Sequence, residues 1–510
     1  MTYGWEKSDS VKVARKPAND GEGPSLESVE RRAGAEGNAV GAHTRRTPSR
    51  ESVPQGLERV RERAKGNGKE RFTALLHHVD VERLRVSFRA LKRDAAPGVD
   101  GLTWRQYEQN LEANLVDLHE RVHRGVYRAL PSRRTFIPKE DGRERPLGVA
   151  ALEDKIVQRA VVEVLNGIYE EDFVGFSYGF RPERSQHDAL DALAFGVTCT
   201  AVNWIVKVDI RSFFDSVSHE WLIRFIEHRV GDPRVLRLIR KWLKAGVMES
   251  GAWRATESGT PQGSTASPLL ANVYLHYCFD LWAQRWRHRE AGGNVIVVRF
   301  ADDIVAGFEH EADAERFVVA LKERLAEFAL SLNPEKTRLI EFGSNAAKSR
   351  SRRGLNKPET FEFLGFVHIC SRSRRGFFLL KRKTRRDRMR STLKRVGAEL
   401  RRQMHVSIPQ QGKWLAAVLR GYFAYHAVPT NYRSLSTFRH HVEKLWLRTL
   451  RCRSQKDRMT WERLQCLADS FLPVPRIDHP WPDARFIVKH PRWKPSARIG
   501  PARLCAGGVQ

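Results

Sequence analysis

The segment VIVVRFADDIVAGF, residues 295–308, constrains the fold of this chain most strongly, because it places two adjacent carboxylates between two apolar arms. The apolar runs VIVVRF and IVAGF around a short centre predict a β-hairpin with Asp302 and Asp303 at its tip. Two like charges side by side repel each other unless a cation lies between them. The alternative is that both side chains point into water on an exposed turn, where Asp is common.

A second segment, NWIVKVDI at residues 203–210, alternates with the period of a β-strand and places Asp209 close to the strand end. If this strand and the hairpin lie in one antiparallel sheet, the carboxylates of Asp209, Asp302 and Asp303 converge. Converging carboxylates bind hard divalent cations, and Mg²⁺ suits a site of few carboxylates, several waters and substrate phosphates. Two such ions about 4 Å apart can activate a 3′ hydroxyl and stabilise a leaving pyrophosphate.

The charge balance indicates a polyanionic partner. The 510 residues include 89 Lys and Arg against 60 Asp and Glu, a formal net charge of +29, and the pI is near 10.3. Such an excess, interleaved with aromatic residues, favours nucleic acid as the partner over a generally solvated basic surface. The charge does not distinguish RNA from DNA.

The six cysteines form no CxxC pair, which excludes the usual disulfide-framework and zinc-site spacings and favours a reduced, intracellular compartment. No apolar run approaches the ~18 residues of a membrane span, and the N-terminus lacks the apolar core of a secretion signal. Residues 70–130 carry helical spacing, broken by a Pro-Gly turn in APGVDGLTW, and residues 380–460, including LLKRKTRRDRMRSTLKRV, are predicted to be helical and very basic.

Eight blocks, in order along residues 70–440, resemble those of a bacterial group II intron reverse transcriptase and maturase. The blocks that hold the aspartates and the loop between them are similar to a reverse transcriptase palm, and the flanking blocks narrow the resemblance to the intron family. The eight blocks are APGVDGLTW, RPLGVAALEDKIVQRAV, SYGFRPERSQHDAL, VKVDIRSFFDSV, GTPQGSTASPLLANVYL, VRFADDIVAGF, LNPEKTRLIEFG and FEFLGF.

The resemblance implies an α+β fold of right-hand polymerase architecture. Fingers are expected over residues 56–205, an antiparallel-sheet palm over 206–370 and a helical thumb and maturase region over 371–460. A basic, disordered extension is expected over residues 1–55, and a Pro-, Trp- and Arg-rich tail that binds RNA or DNA over 461–510.

The implied activity is that of an RNA-directed DNA polymerase that copies intron RNA into cDNA and binds the intron RNA to assist splicing and mobility. Two Mg²⁺ ions, with Mn²⁺ as a substitute, are the implied cofactors. The implied partners are the intron RNA template, a DNA target or primer and dNTPs. The implied location of the protein is the bacterial cytoplasm, associated with the nucleoid through nucleic acid. The oligomeric state is left open, with a dimer as one option. Two alternatives also stay open: a splicing cofactor whose polymerase has decayed, and a related reverse transcriptase recruited to phage defence or CRISPR adaptation.

Carried over by position, Asp209, Asp302 and Asp303 match the catalytic aspartates of the family. Asp209 and Asp302 are expected to bind the metal directly and Asp303 to support them, and Ile210 completes the expected metal set. Asp215, in the same block as Asp209, is interpreted as structural, either facing away from the site or capping the following helix.

Phe214 matches the aromatic residue under the incoming sugar, where a rigid ring clashes with a ribose 2′ hydroxyl; the alternative is a core Phe, for which its neighbour Phe213 is the better candidate. The nucleotide-binding set is expected to include the loop residues Gln262 and Gly263, with Gly263 allowing close backbone approach. The basic residues expected to meet the triphosphate are Lys139, Arg145 and Lys336.

RNA contacts are expected from Arg181 and, in the thumb and the maturase-like segment WLAAVLRGYFAYHAVPTNY (414–432), from Arg385, Arg386, Arg420 and Tyr425. The alternative for the aromatic residues of this segment is packing inside a helix bundle. Two departures from the family pattern are visible. The motif reads FADD where most relatives have YADD, and no CxxC pair follows residue 440, so we expect no Cys-paired endonuclease.

Overall fold

The computed structural model describes residues 55–138, 144–249, 251–256, 258–260, 263–453 and 459–489. Residues 1–54 of the expected N-terminal extension and residues 490–510 of the expected tail lie outside the described residues. Two expected nucleotide ligands, Lys139 and Gln262, also lie outside them.

Helices and strands are mixed along the chain, as the sequence predicts for an α+β protein. The strands are β1 (Ser132–Pro138), β2 (Glu144–Val149), β3 (Trp204–Asp209), β4 (Val247–Glu249), β5 (Ala252–Arg254), β6 (Val295–Phe300), β7 (Asp303–Phe308), β8 (Arg338–Glu341), β9 (Phe361–Phe363), β10 (Phe366–Arg372) and β11 (Phe378–Thr384).

The helices alternate with these strands in the first three quarters of the chain and dominate the last quarter. They are α1 (Gln55–Gly66), α2 (Val81–Arg89), α3 (Trp104–Glu108), α4 (Leu111–His123), α5 (Leu152–Asp172), α6 (Gln186–Cys199), α7 (Phe213–Ser216), α8 (His219–Glu227), α9 (Pro233–Lys244), α10 (Ser267–Leu275), α11 (Leu281–Arg289), α12 (Glu311–Ala326), α13 (Ala346–Arg352), α14 (Arg386–Arg402), α15 (Ile408–His426), α16 (Tyr432–Arg451), α17 (Trp461–Phe471) and α18 (Pro482–Lys489). A π-helical turn, His276–Asp280, joins α10 to α11.

The centre of the molecule is an antiparallel sheet in the order β6-β7-β3-β8. Side chains along its strands point alternately into two hydrophobic cores. In β3, Val206 and Val208 lie in a core shared with the N-terminal helices. Ile205 lies in a core shared with α6 and the β9–β11 region. Many antiparallel sheets leave one face to solvent, whereas helices cover both faces here. The predicted hairpin and the predicted strand are both confirmed.

Two smaller sheets flank the central one. The first has the order β2-β1-β4-β5, and the second has the order β11-β10-β9. The prediction of a helix beginning near residue 380 is wrong at its start, because LLKRKT belongs to β11. Along that strand Leu380, Arg382 and Thr384 are buried while Lys381 and Lys383 are exposed, which is the period of a strand. The basic helix begins only at Arg386.

The last part of the described chain forms a helical bundle, α14 to α17, around a core that contains Phe438 and Trp446. Helix α18 then returns to α6, where Phe486 stacks on Phe195 with ring centroids 4.3 Å apart. Beside it, Asp191 of α6 accepts ion pairs from Arg382 at 3.1 Å and Arg485 at 3.0 Å.

A buried carboxyl group in α5 is a source of pH-dependent stability. Asp154 is buried and accepts hydrogen bonds from the Tyr127 hydroxyl and, at 3.1 Å, from the Leu130 N–H. Burial raises the pKa of Asp154 to about 6, because the cost of desolvating the charge exceeds the stabilisation from these two donors. The folded protein therefore holds this proton over a pH range in which the unfolded chain has already lost it.

We expect the free energy of unfolding to fall by about 2 kcal/mol as the pH rises from 4 to 7 through this group alone, since the unfolded chain binds fewer protons in that window. Asp154→Asn should remove that part of the slope, and urea unfolding at several pH values measures it. Asp94→Asn serves as the control, because that carboxyl group is exposed. An unchanged slope in Asp154→Asn would contradict the assignment.

Candidate active site

Three aspartates lie at one end of the central sheet. The β3–β7 register places Asp209 directly opposite Asp303. Strands β6 and β7 pair Phe300 with Asp303, so Ala301 and Asp302 form a two-residue turn. Ala301 has a φ of +55°, the left-handed conformation that such tight turns require. The structure therefore places the three aspartates that the sequence singled out at the same end of this sheet.

Two lysines balance the negative charge of this edge. Lys207, two residues before Asp209 on the same strand, forms an ion pair with Asp303. Lys336 Nζ lies 3.9 Å from Asp209 Oδ2. Asp209 keeps 39% of its side chain exposed, so its carboxylate is accessible to a ligand from solvent. The lysines relieve part of the repulsion between the carboxylates.

The donor chemistry of this edge fits a hard divalent cation, since it offers carboxylate oxygens at a solvent-accessible strand end. Within the described ranges, no three His, Cys, Asp or Glu side chains are already gathered closely enough to hold a metal. Ile210, a member of the expected metal set, has a hydrocarbon side chain that is buried, and its main-chain carbonyl is the group that could serve as a ligand.

The segment NPEKT fixes the backbone of Asp209 and brings Lys336 to it. Asn333 N–H donates to the Asp209 carbonyl at 2.8 Å. The hydroxyl of Thr337 lies 3.3 Å from the Asp209 N–H and accepts its hydrogen bond. The expectation that Lys336 lies at the site agrees with this geometry, and the anchoring role of Thr337 was not foreseen.

The two aromatic residues after Asp209 differ in burial. Phe213 is buried, as predicted for the core member, and Phe214 is partly exposed and packs edge-on against it with centroids 5.4 Å apart. Asp215 is exposed and does not cap the next helix; the cap of α8 is Ser218, whose hydroxyl accepts a hydrogen bond from Trp221 N–H. The capping interpretation of Asp215 is therefore wrong.

Gly263 makes a close backbone approach, though to the protein itself. It has a φ of +107°, and a Cβ at this position would lie 2.8 Å from the carbonyl oxygen of Gly148 in β2. Arg145, partly exposed, lies at the start of the same strand, opposite Ile137. The loop before α10 thus packs directly on the strand that carries one of the expected phosphate-binding residues.

Two of the expected RNA-binding residues have structural roles instead. Arg181 is only 2% exposed; its guanidinium pairs with Glu170 at 2.9 Å and donates to the carbonyls of Val174 and Ser177. An expectation of RNA contact by Arg181 is therefore wrong, because no surface of this side chain is left for RNA.

Tyr425 is also occupied within the fold. Its hydroxyl lies within hydrogen-bonding distance of the Gln186 side chain and donates to the Leu364 carbonyl at 2.7 Å, and its ring stacks on Phe366. The bundle-packing alternative holds for the buried Tyr422, whereas Tyr425 packs outside the bundle, against α6 and β10.

The other three arginines expected to contact RNA differ in how far they are exposed and paired. Arg385 forms ion pairs with Asp387 and, at 3.2 Å, with Glu362. Arg386 at the start of α14 and Arg420 on α15 are exposed. The exposed pair is therefore better placed for contact with a polyanion than Arg385 is.

The sequence reasoning missed a buried polar cluster behind the aspartate turn. Arg299, in the apolar arm VIVVRF, is fully buried and pairs with the equally buried Asp280. A lone Arg inside an otherwise apolar strand arm was the signal that could have found it, because a buried charge requires a partner.

Comparison with known proteins identifies the family. The family described as "Reverse transcriptase (RNA-dependent DNA polymerase)" matches residues 137–368. The chain is 36% identical over 298 residues to Protein YkfC of Escherichia coli (strain K12). The aligned region covers 51% of this chain and 77% of that protein. It is also 36% identical over 226 residues to Group II intron-encoded protein LtrA of Lactococcus lactis subsp. cremoris, which covers 43% of this chain and 37% of LtrA.

The chain belongs to the group II intron reverse transcriptase family. It is accordingly an RNA-directed DNA polymerase, whose substrates are a template RNA, a DNA strand and dNTPs. A shorter match, 31% identical over 98 residues, is to Nuclear intron maturase 2, mitochondrial, of Arabidopsis thaliana and covers 13% of that protein. In the part of this reverse transcriptase that the structure describes, no helix is long and apolar enough to cross a membrane.

Proposed function

We propose that this reverse transcriptase copies an intron RNA into cDNA at the edge formed by Asp209, Asp302 and Asp303, and that it binds the same RNA to assist splicing. The observation that carries the polymerase half is the β3–β7 register, which sets Asp209 opposite Asp303 beside the turn of Asp302. The splicing half is supported by the relatives, whose printed names include an intron-encoded protein and an intron maturase.

The same layout supports a right-hand architecture. The central sheet corresponds to the palm, the β2-β1-β4-β5 sheet with the N-terminal helices to the fingers, and the α14–α17 bundle to the thumb and maturase region. The β9–β11 sheet lies along the chain between palm and thumb, so the boundary expected at residue 370 falls inside β10.

Asp209 and Asp302, with the main-chain carbonyl of Ile210, are the residues that would hold divalent cations, with Mn²⁺ as a substitute for Mg²⁺. When bound, two such ions activate the primer 3′ hydroxyl and stabilise the leaving pyrophosphate. Asp303 is paired with Lys207, so its role is to support the edge rather than to bind metal first. Lys336, close to Asp209, places a cation where substrate phosphates approach.

The nucleotide would lie against Phe214 and the loop that ends at Gly263. The partly exposed ring of Phe214 lies five residues beyond Asp209, and Gly263 packs that loop on β2, which carries Arg145. Lys139 and Gln262 complete the proposed nucleotide set. A template RNA would meet the exposed basic side chains of α14 and α15, including Arg386 and Arg420.

Binding to RNA should separate into a general charge term and a specific term. We expect Arg386→Glu to weaken binding to cognate and unrelated RNA alike and to flatten the salt dependence, since each neutralised phosphate releases counterions. We expect Arg420→Ala to reduce splicing assistance and cognate preference while extension on a generic primer-template stays largely intact. The measurements are RNA affinity over a salt series, intron splicing at low Mg²⁺, and extension on an unrelated template.

Lys322→Glu is the matched control for the charge reversal. Lys322 is exposed on α12. The buried residues Phe317 and Leu321 of this helix pack in the core shared with the N-terminal helices. Helix α12 therefore lies on the opposite face of the central sheet from α6. If Arg420→Ala loses splicing and extension in parallel, α15 is part of the thumb core and the maturase role of this segment is contradicted. If the wild type splices but does not extend, the splicing-cofactor alternative replaces the polymerase proposal.

A further inference from the structure

The turn that carries Asp302 rests on a buried polar cluster centred on Arg299. Its Nε and Nη2 donate to the two carboxylate oxygens of Asp280 at 2.7 and 2.5 Å. Its Nη1 donates to Asn272 Oδ1 at 2.9 Å and to the carbonyl of Ala301, in the turn itself, at 3.2 Å. Its Nη2 also donates to Ser177 Oγ at 2.6 Å. All five N–H donors of the guanidinium are therefore satisfied.

The segment 176–179 also packs against Arg299 and the turn that carries Asp302. Arg299 N–H donates to the Phe176 carbonyl at 2.9 Å, and Tyr178 N–H donates to the Arg299 carbonyl at 2.8 Å. A Cβ on Gly179 would lie 2.3 Å from the Ala301 nitrogen, so only glycine allows this approach. Asn272 Nδ2 donates to the Gly179 carbonyl at 2.6 Å, which connects the segment to the arginine.

Stability alone does not account for such a cluster. A fully buried ion pair gains little over well-packed apolar side chains of similar volume, because desolvating both charges offsets their attraction. What the cluster provides is one defined position. It joins the turn of Asp302, the π-helical turn that holds Asp280, and α10, which begins four residues after Gly263.

We propose that Arg299 and Asn272 are positioning residues that fix the Asp302 turn relative to α10, and thereby set the affinity of the aspartate edge for its divalent cation. Both side chains are buried; Arg299 acts through the backbone of Ala301, and Asn272 acts through Arg299 and the backbone of Gly179. The inference rests on the proposed metal-binding role of Asp209 and Asp302. Groups that orient metal ligands contribute about 10- to 100-fold to metal affinity or activity.

The test compares Asn272→Ala with Gln411→Ala. Gln411 is a matched control in the α14–α17 bundle, because its buried carboxamide donates to the Gln403 carbonyl at 2.6 Å and accepts from Trp446 Nε1 at 3.0 Å. Asn272 makes the same two kinds of bond, at 2.6 and 2.9 Å. The two variants therefore lose similar hydrogen bonds at different distances from the aspartates.

Two readouts are needed: Mn²⁺ binding to the free protein by electron paramagnetic resonance, and single-nucleotide incorporation over an Mg²⁺ series. We expect Asn272→Ala to weaken Mn²⁺ binding and raise the Mg²⁺ requirement about tenfold, with incorporation largely restored at saturating Mg²⁺. Gln411→Ala should lower the melting temperature without moving either metal curve. Two further variants should shift both metal curves in the same direction: Arg299→Lys, which keeps the charge beside Asp280, and Ser177→Ala. If Asn272→Ala does not fold, these two variants test the proposal in its place.

The outcomes separate this proposal from the one on which it rests. If Asp302→Ala abolishes Mn²⁺ binding but Asn272→Ala, Arg299→Lys and Ser177→Ala all bind Mn²⁺ like the wild type, the cluster is only structural and the positioning role is overturned. If Asp302→Ala itself binds Mn²⁺ like the wild type, the metal site is misassigned and the proposed mechanism fails first.

Discussion

Asp209→Ala and Asp302→Ala should each reduce primer extension on an RNA template by at least about 1,000-fold. Each change removes a carboxylate from the edge where Asp209 faces Asp303 and Asp302 occupies the turn. Stabilisation of developing charge by fixed groups and bound metal is the largest single contribution to catalysis in sites of this kind, so losing one ligand costs several kcal/mol of transition-state stabilisation.

Single-turnover extension at saturating Mg²⁺ and dNTP measures this effect without interference from product release. Asp215→Asn is the control, since Asp215 is exposed, belongs to the same sequence block and lies outside the three-aspartate edge. Near-normal extension by either alanine variant would show that the catalytic site lies elsewhere. Loss of extension in all three variants would point to a folding defect of the block.

Phe214→Val should raise the incorporation of ribonucleotides relative to deoxyribonucleotides by about 10- to 100-fold, the range that a change of one or a few methylene-sized groups in a pocket produces. The ring of Phe214, five residues beyond Asp209, is partly exposed. If it lies under the incoming sugar, as proposed, a rigid aromatic ring occupies the space of a ribose 2′ hydroxyl. Shortening the side chain opens that space while the deoxyribose contacts change little.

Phe213→Val is the matched control, because the neighbouring ring is buried in the core. It should lower the melting temperature, through the cavity it leaves, without changing the ratio of ribonucleotide to deoxyribonucleotide use. The measurement is the ratio of incorporation efficiencies for the two sugars on one primer-template. An unchanged ratio in a folded, active Phe214→Val protein would overturn the gate assignment.

The Lys207–Asp303 pair bears on how the three aspartates divide their roles. Lys207 and Asp209 are two residues apart on β3, so their side chains share a face of the strand, and Asp303 faces them from β7. The fixed cation beside Asp303 therefore supports the proposal that Asp303 stabilises the edge and that Asp209 and Asp302 bind the metal. The alternation of residues 203–210 puts Lys207 on the same strand face as Asp209, but only the structure shows that Lys207 forms its ion pair with Asp303.

Local patterns in the sequence were sufficient for the elements that carry the chemistry. The apolar arms around Asp302 and Asp303 predicted the hairpin, and the alternation of residues 203–210 predicted β3. The order of eight blocks was sufficient to indicate the family. These features are readable because a strand period, a turn and a block of side chains are all local properties of the chain.

Only the tertiary structure decided which long polar side chains are free to act. Arg181, Tyr425 and Arg299 each carry groups suited to binding, yet each is occupied within the fold. The partners of Tyr425 and Arg299 include residues from distant segments, whereas Arg181 is buried against the nearby residues 170–177. LLKRKT forms a strand because β10 lies beside it. The β3–β7 register, which sets Asp209 against Asp303, joins residues separated by 94 positions in the chain. Burial and register depend on which remote segments meet, and residue spacing along the chain does not contain that information.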